Sequence, residues 1–100
     1  MPLFLLSVSY LTSFEEVEKH LPAHITWLEQ QYEQSIYLFF ARKVPFTGGV
    51  CLAVAESAHQ MAEITESDPF RTSNVAKYEI QELDLTKVNT SVLKNMCPTE

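Results

Sequence analysis

The sequence predicts an α+β domain with a ferredoxin-like fold, in which the order β-α-β-β-α-β builds an antiparallel four-stranded sheet. Four segments have strand patterns: in three of them apolar residues alternate, and residues 36–40 are apolar on both faces. In the helical segments between them, apolar residues recur at steps of three and four. A length of 100 residues, 46% hydrophobic and 20% charged, suits a single globular domain. We expect this domain to cover residues 1–85 and residues 86–100 to form a tail.

The first strand and the first helical region are well marked. In residues 3–10 the side chains alternate between two faces, with Phe4, Leu6, Val8 and Tyr10 on one of them, which predicts a strand. Ser13 and Glu16 then form a capping box that opens a helix. The helical stripe continues to Tyr32, but Pro22 interrupts it. Either one helix kinks there, or a second helix begins at Pro22.

The middle of the chain predicts two buried strands, at residues 36–40 and 50–55. The loop between them contains Pro45 and the pair Gly48-Gly49, which we interpret as the turn into the third strand. In that strand Val50, Leu52 and Val54 share one face, and the residues between them share the other.

Two short helices and a fourth strand complete the predicted domain. Ser57 and Gln60 form a second capping box. Asp68 before Pro69 is typical of an N-cap followed by the first helical position, and Asn74 is suited to end that helix. The fourth strand is expected at residues 76–85, with a bulge at Gln81-Glu82 because the apolar phase changes there.

The strands also predict a homodimer. Three of the four are apolar or small on both faces, whereas the helices of this fold cover one face of the sheet. Two copies packed face to face would bury the second face.

Charge and composition exclude several classes of function. The formal net charge is −6, and the 7 basic residues are scattered, so we expect no nucleic-acid partner and no anionic membrane partner. No segment has the pattern of a signal peptide or a membrane span. Cys51 lies in a strand pattern and Cys97 in the tail, which favours a reducing, cytoplasmic location.

His24 and Asp68 are the candidate catalytic residues. Each lies beside a proline near a predicted helix start, where the helix dipole favours a neutral imidazole. If the fold brings them together, Asp68 can orient His24 as a general base. The structural alternative is that Asp68 is an N-cap and His24 a hydrogen-bonded helix residue. His20 and His24 have metal-ligand spacing, but no third ligand is evident, so we expect no metal site.

Three segments resemble the YCII-related family of the dimeric α/β-barrel superfamily: LPAHITWLEQQY, VPFTGGVCLA and SDPFRTSNVAKYEIQEL. The resemblance covers residues 3–85. It implies a ferredoxin-like dimer with an active site made by the histidine of P-x-H and the aspartate of D-P-F, here His24 and Asp68. It also implies the glycine pair that opens the third strand, here Gly48 and Gly49.

One segment departs from the family pattern. The resemblance implies a small stretch with glycine and proline after the second strand, whereas this chain has Phe40, Ala41 and Arg42. The pocket is therefore expected to be narrower and to contain a cation suited to a carboxylate-bearing ligand. The candidate ligand-binding residues are Phe40, Arg42, Gly48, Gly49 and Trp27, with Trp27 alternatively packing at the dimer face.

We therefore expect a cofactor-independent enzyme that acts on a small organic molecule by acid/base chemistry, of the isomerase or lyase type. Two alternatives remain open. The same pocket could bind a small ligand without converting it, or the protein could be a structural dimer without pocket chemistry.

Overall fold

A computed structural model describes residues 1–96 as one layer of helices packed on one sheet. The elements are β1 (Leu3–Tyr10), α1 (Phe14–Glu18), α2 (Leu21–Glu33), β2 (Tyr37–Arg42), β3 (Gly48–Val54), α3 (Ala58–Glu66), α4 (Pro69–Thr72), β4 (Ala76–Leu83) and α5 (Thr90–Met96). The antiparallel sheet has the order β2-β3-β1-β4, so the predicted ferredoxin-like fold is confirmed.

The helical region is broken before Pro22, as the second of the two alternatives predicts. Ser13 caps α1 by accepting a hydrogen bond from the Glu16 N–H, and α1 ends at Glu18. Helix α2 begins at Leu21 with Pro22 as its second residue, where the missing N–H needs no partner. His24 therefore lies at the end of the first turn of α2, and its N–H bonds to the carbonyl of His20.

The strand boundaries differ from the predicted ones in two places. Strands β2 and β3 extend toward each other, to Arg42 and Gly48, so the connecting loop is shorter than predicted. Strand β4 ends at Leu83 and pairs with β1 in one continuous register, so the predicted bulge at Gln81-Glu82 is wrong. The register shift of the sheet lies instead between Tyr37 and Phe39 in β2.

The hydrophobic core lies between the helices and one face of the sheet. Phe4 and Leu6 of β1 are fully buried there, with Cys51 and Ala53 opposite them on β3. Tyr37 from β2 and Met61 from α3 complete its centre.

The other face of the sheet is left half-exposed in a single chain. Leu5 pairs there with Leu52, and the adjacent Phe39 is 41% exposed. Of the two faces recognised in the third strand, Val50, Leu52 and Val54 are thus on the open one. We refer to this surface, which also includes Leu3 and Leu83, as the open sheet face.

Gly48 is required where β3 begins. A Cβ atom at this position would lie 1.8 Å from the carbonyl oxygen of Val8 on the neighbouring strand β1. Since no side chain fits at that distance, only glycine allows the two backbones to approach so closely. The glycine pair thus begins the strand itself rather than a turn before it.

Candidate active site

A cavity of about 330 Å³ lies between α2, α4 and the helix-covered face of the sheet. Most of its wall is apolar, which is typical of small-molecule sites. Its polar side chains come from three elements: Tyr10 on β1, His24 on α2 and Arg42 on β2. The remaining lining residues are Val8, Leu21, Ile25, Leu28, Phe40, Ala41, Gly48, Gly49, Cys51 and Phe70.

The structure brings His24 and Asp68 together at this cavity. His24 Nδ1 lies 2.7 Å from Asp68 Oδ1, within the distance predicted for a hydrogen bond. Asp68 is fully buried and His24 is 8% exposed. The other ring nitrogen, Nε2, makes no hydrogen bond to residues 1–96, while the imidazole lines the cavity.

Three donors surround the Asp68 carboxylate. Besides His24, the N–H of Phe70 donates to Oδ1 over 2.9 Å, which is the N-cap bond of α4. The Tyr78 hydroxyl donates to Oδ2. Three donors favour the ionised carboxylate, which accepts hydrogen bonds but donates none. The proton between the two side chains therefore belongs to His24 Nδ1, and a neutral ring keeps the lone pair of Nε2.

Phe70 orients the plane of the His24 ring, in addition to the hydrogen bond that Asp68 makes with Nδ1. The imidazole lies flat on the Phe70 ring, with centroids 3.6 Å apart and an angle of 6° between the planes. Phe70 is itself fully buried in the core, so it provides a packed surface for this orientation. The D-P-F segment therefore supplies both the hydrogen-bond acceptor and the stacking surface for the same histidine.

Four of the five predicted ligand-binding residues line the cavity, namely Phe40, Arg42, Gly48 and Gly49. Trp27 does not. It is buried against Tyr37, and its Nε1–H donates to Ser67 Oγ over 3.0 Å. Trp27 thus joins α2 to the residue before Asp68, which makes it a support for the histidine–aspartate contact rather than a wall of the pocket.

Arg42 is a cation at the cavity without a carboxylate partner among the described residues. Its guanidinium carbon lies 4.6 Å from the centre of the Phe46 ring, a cation–π arrangement that holds the side chain in place. Burial raises the pKa of Tyr10, and the charge of Arg42 partly offsets that effect. The two side chains are therefore near enough to interact electrostatically.

Sequence reasoning missed the roles of Phe70 and Tyr78. Phe70 lay inside a recognised motif, but nothing local says that its ring faces His24. Tyr78 shares a strand face with Ile80, yet its distance to Asp68 depends on β4 pairing with β1.

The His20–His24 spacing does not form a metal site in the part of the chain that is described. His20 Nδ1 hydrogen-bonds Ser73 Oγ over 3.0 Å, away from the Asp68 contact. Within residues 1–96 no group of three or more His, Cys, Asp or Glu side chains is placed to hold a metal ion. None of the helices described there is long and apolar enough to cross a membrane. Cys97 lies outside the described residues.

Comparisons with known proteins identify the family and support the fold. No curated protein matches the sequence. Among solved structures, 5-chloro-2-hydroxyhydroquinone dehydrochlorinase (TftG) from Burkholderia phenoliruptrix AC1100, in complex with 2,5-dihydroxybenzoquinone, matches with a TM-score of 0.71 and 18% identity. The match covers 82% of this chain and 93% of that one, and at this identity it supports the fold alone. The model of the YCII-related domain matches residues 1–84, so the chain belongs to the YCII-related family.

Proposed function

We propose that this protein is a small-molecule enzyme in which His24 is the general base and Asp68 orients it. One observation carries the proposal: the imidazole lines a cavity while its Nδ1 is held by a buried carboxylate. That arrangement leaves Nε2 as the nitrogen available for proton transfer. The proposed reaction is an isomerisation or an elimination in which His24 supplies the base and no cofactor takes part.

The proposed step is a proton transfer. His24 Nε2 takes a proton from an acidic C–H or O–H of the substrate and becomes imidazolium, which Asp68 stabilises. The electron pair left behind moves onto a carbonyl oxygen or expels a leaving group as an anion. In an isomerisation, the imidazolium returns the proton to another atom of the substrate. In an elimination, it releases the proton to water.

The proposed ligand is a small organic anion with an apolar body. The wall formed by Leu28, Phe40 and Phe70 suits a ring or a short hydrocarbon, and 330 Å³ restricts its size. Arg42 supplies the only guanidinium of the cavity wall in the described chain, and this group pairs well with a carboxylate or an enolate. The 2,5-dihydroxybenzoquinone bound by the structural neighbour is a small ring compound with acidic hydroxyl groups.

We also infer that two copies pair through the open sheet face. Leu5, Leu52 and Phe39 are adjacent there and stay half-exposed in one chain. An apolar sheet face is normally covered, and a second copy of the same face would cover it. The cavity lies on the helix-covered side, so each subunit would carry its own site.

Measurements of ligand binding and of turnover on the same compounds distinguish an enzyme from a binding protein. The protein is titrated with 2,5-dihydroxybenzoquinone and with small aromatic carboxylates while NMR follows the signals of residues around the cavity. Chloride release from 5-chloro-2-hydroxyhydroquinone and deuterium uptake by the other compounds in D₂O report turnover. Binding with turnover supports the enzyme. Binding without turnover favours a ligand-binding dimer, and the absence of both favours a structural dimer.

Arg42→Gln is the variant that tests the ligand class. We expect it to weaken binding of a carboxylate by roughly tenfold, since charge-assisted hydrogen bonds contribute about 1.5–3 kcal/mol when buried and less at an exposed rim. Lys43→Gln is the matched control, because Lys43 is the next residue along the chain but does not line the cavity. Equal losses in both variants would indicate a general effect of charge.

A further inference from the structure

The Tyr78 hydroxyl is hydrogen-bonded to Asp68, which in turn is hydrogen-bonded to His24. Tyr78 lies on β4 opposite Val8 of β1, and its hydroxyl donates to Asp68 Oδ2, the oxygen that His24 does not use. We propose that Tyr78 is a positioning residue that keeps Asp68 ionised and turned toward His24, and so fixes His24 in the tautomer with a free Nε2. Its effect on catalysis rests on the proposed function; its effect on the tautomer does not.

The Asp68 carboxylate needs this donor because it is shielded from solvent. Asp68 is fully buried, and the Tyr78 hydroxyl is the one hydrogen-bond donor to Oδ2 found among residues 1–96. A buried carboxylate oxygen without a donor is costly. If Tyr78 did not donate, Asp68 could take up a proton and donate it to His24 Nδ1. The proton of the neutral ring would then be on Nε2, and the base would be lost.

The Tyr78 hydroxyl donates a hydrogen bond to Asp68 without losing its own proton. Burial raises the pKa of Tyr78 far above its usual range, and the neighbouring Tyr37 and Asp68 raise it further. The hydroxyl therefore keeps its proton throughout the neutral range. Since that proton is bonded to Asp68, the Tyr78 side chain adds a fixed dipole to the site without a charge.

Tyr37 offers a matched control in the same core. Its hydroxyl is buried and makes no hydrogen bond to Asp68. It is nevertheless close enough to Tyr78 to raise the pKa of that residue. Tyr37→Phe and Tyr78→Phe therefore remove the same atom from neighbouring buried rings, but only Tyr78→Phe removes a donor from Asp68.

The test reads the tautomer of His24 directly. Long-range ¹H–¹⁵N NMR spectra are recorded on wild type, Tyr78→Phe and Tyr37→Phe at a pH where the imidazole is neutral, with His24 assigned from the His24→Gln spectrum. We expect wild type and Tyr37→Phe to show the Nδ1–H tautomer. Tyr78→Phe should show a mixture with a readily detected Nε2–H form. A wild-type pattern in Tyr78→Phe, or the same change in both variants, would overturn the proposal.

A second measurement does not need the variant to fold. In wild type the Tyr78 hydroxyl proton should give a separate resonance that exchanges slowly with water, because it is buried and bonded. Rapid exchange would contradict the proposal. The proposed enzymatic function would fail by a different result, namely unchanged turnover in His24→Gln. That result does not depend on which tautomer the wild-type spectrum shows.

Discussion

Asp68 Oδ1 accepts the N–H of Phe70 over 2.9 Å, so the atom that caps α4 is also the atom that holds His24. The start of α4 and the candidate active site therefore depend on the same atom, Asp68 Oδ1. The two interpretations of Asp68, cap and catalytic partner, are compatible because a carboxylate oxygen has two lone pairs.

Substitution of Asp68 should separate these roles. Asn is as good an N-cap as Asp, so Asp68→Asn should keep the bond to the Phe70 N–H, whereas loss of a cap in Asp68→Ala costs about 0.5–2 kcal/mol. We expect urea denaturation to rank Asp68→Ala below Asp68→Asn in stability. Turnover should fall in both variants, because neither can hold the charged histidine. Equal stabilities would show that the cap contributes little.

Stability should decrease at alkaline pH. Burial, and after it the charge of Asp68, raises the pKa of Cys51 to about 12, while an unfolded cysteine titrates near 8.5. Above that pH the unfolded chain has lost a proton that the folded chain keeps. The stabilising contribution is thus complete below about pH 8.5 and falls by about 1.4 kcal/mol per pH unit as pH rises toward 12.

Cys51→Ala isolates this effect. Its free energy of unfolding, from urea titrations between about pH 8.5 and 10, should change less with pH than that of wild type. Above pH 10 the buried Tyr37 and Tyr78, whose pKa values burial also raises, should destabilise both proteins. Parallel curves over the lower range would contradict the assignment to Cys51.

The proposed dimer depends on the open sheet face. Leu52→Glu puts a charge at the centre of that face and should yield monomers in sedimentation equilibrium, because a buried unpaired charge is costly. Val44→Glu is the control, since Val44 is 90% exposed in the loop between β2 and β3. Wild type that sediments as a monomer at micromolar concentration would exclude the dimer.

The tail beyond residue 85 should be dispensable for folding. Every residue from 86 to 96 is exposed, and the family match ends at residue 84. A chain that ends at Leu85 should keep its cooperative thermal transition by circular dichroism. A large drop in melting temperature, or loss of cooperativity, would instead place the tail in the folded core or at a subunit contact.

The order of elements could be predicted because local signals carry it, whereas the contact between His24 and Asp68, which lie 44 positions apart, was expected from the family resemblance. Capping boxes and prolines mark the helix starts, and both candidate residues lie next to such marks. The bulge in β4 could not be judged correctly, because Leu83 lies on the open sheet face, where an apolar residue is as suitable as on the covered face. Likewise, alternation in β3 separates Cys51 from Leu52 without saying which one faces the helices.

The supports of the site are non-local, and for that reason the sequence does not reveal them. Trp27 reaches Ser67 over 40 positions of the chain, and Tyr78 reaches Asp68 from a strand that must first pair with β1. Both residues look like ordinary core aromatics in a strand or helix pattern. Their polar atoms acquire a role once the topology is known.

The central claim is that His24 is the base, and His20 provides its control. The two histidines are one helical turn apart, but His20 bonds to Ser73 and does not line the cavity. The measurement is kcat/KM of His24→Gln and His20→Gln on a converted substrate of the tested panel. We predict a loss of about 10²–10⁴-fold for His24→Gln, the usual contribution of a general base, and a near wild-type value for His20→Gln. Unchanged turnover in a folded His24→Gln protein would contradict the claim.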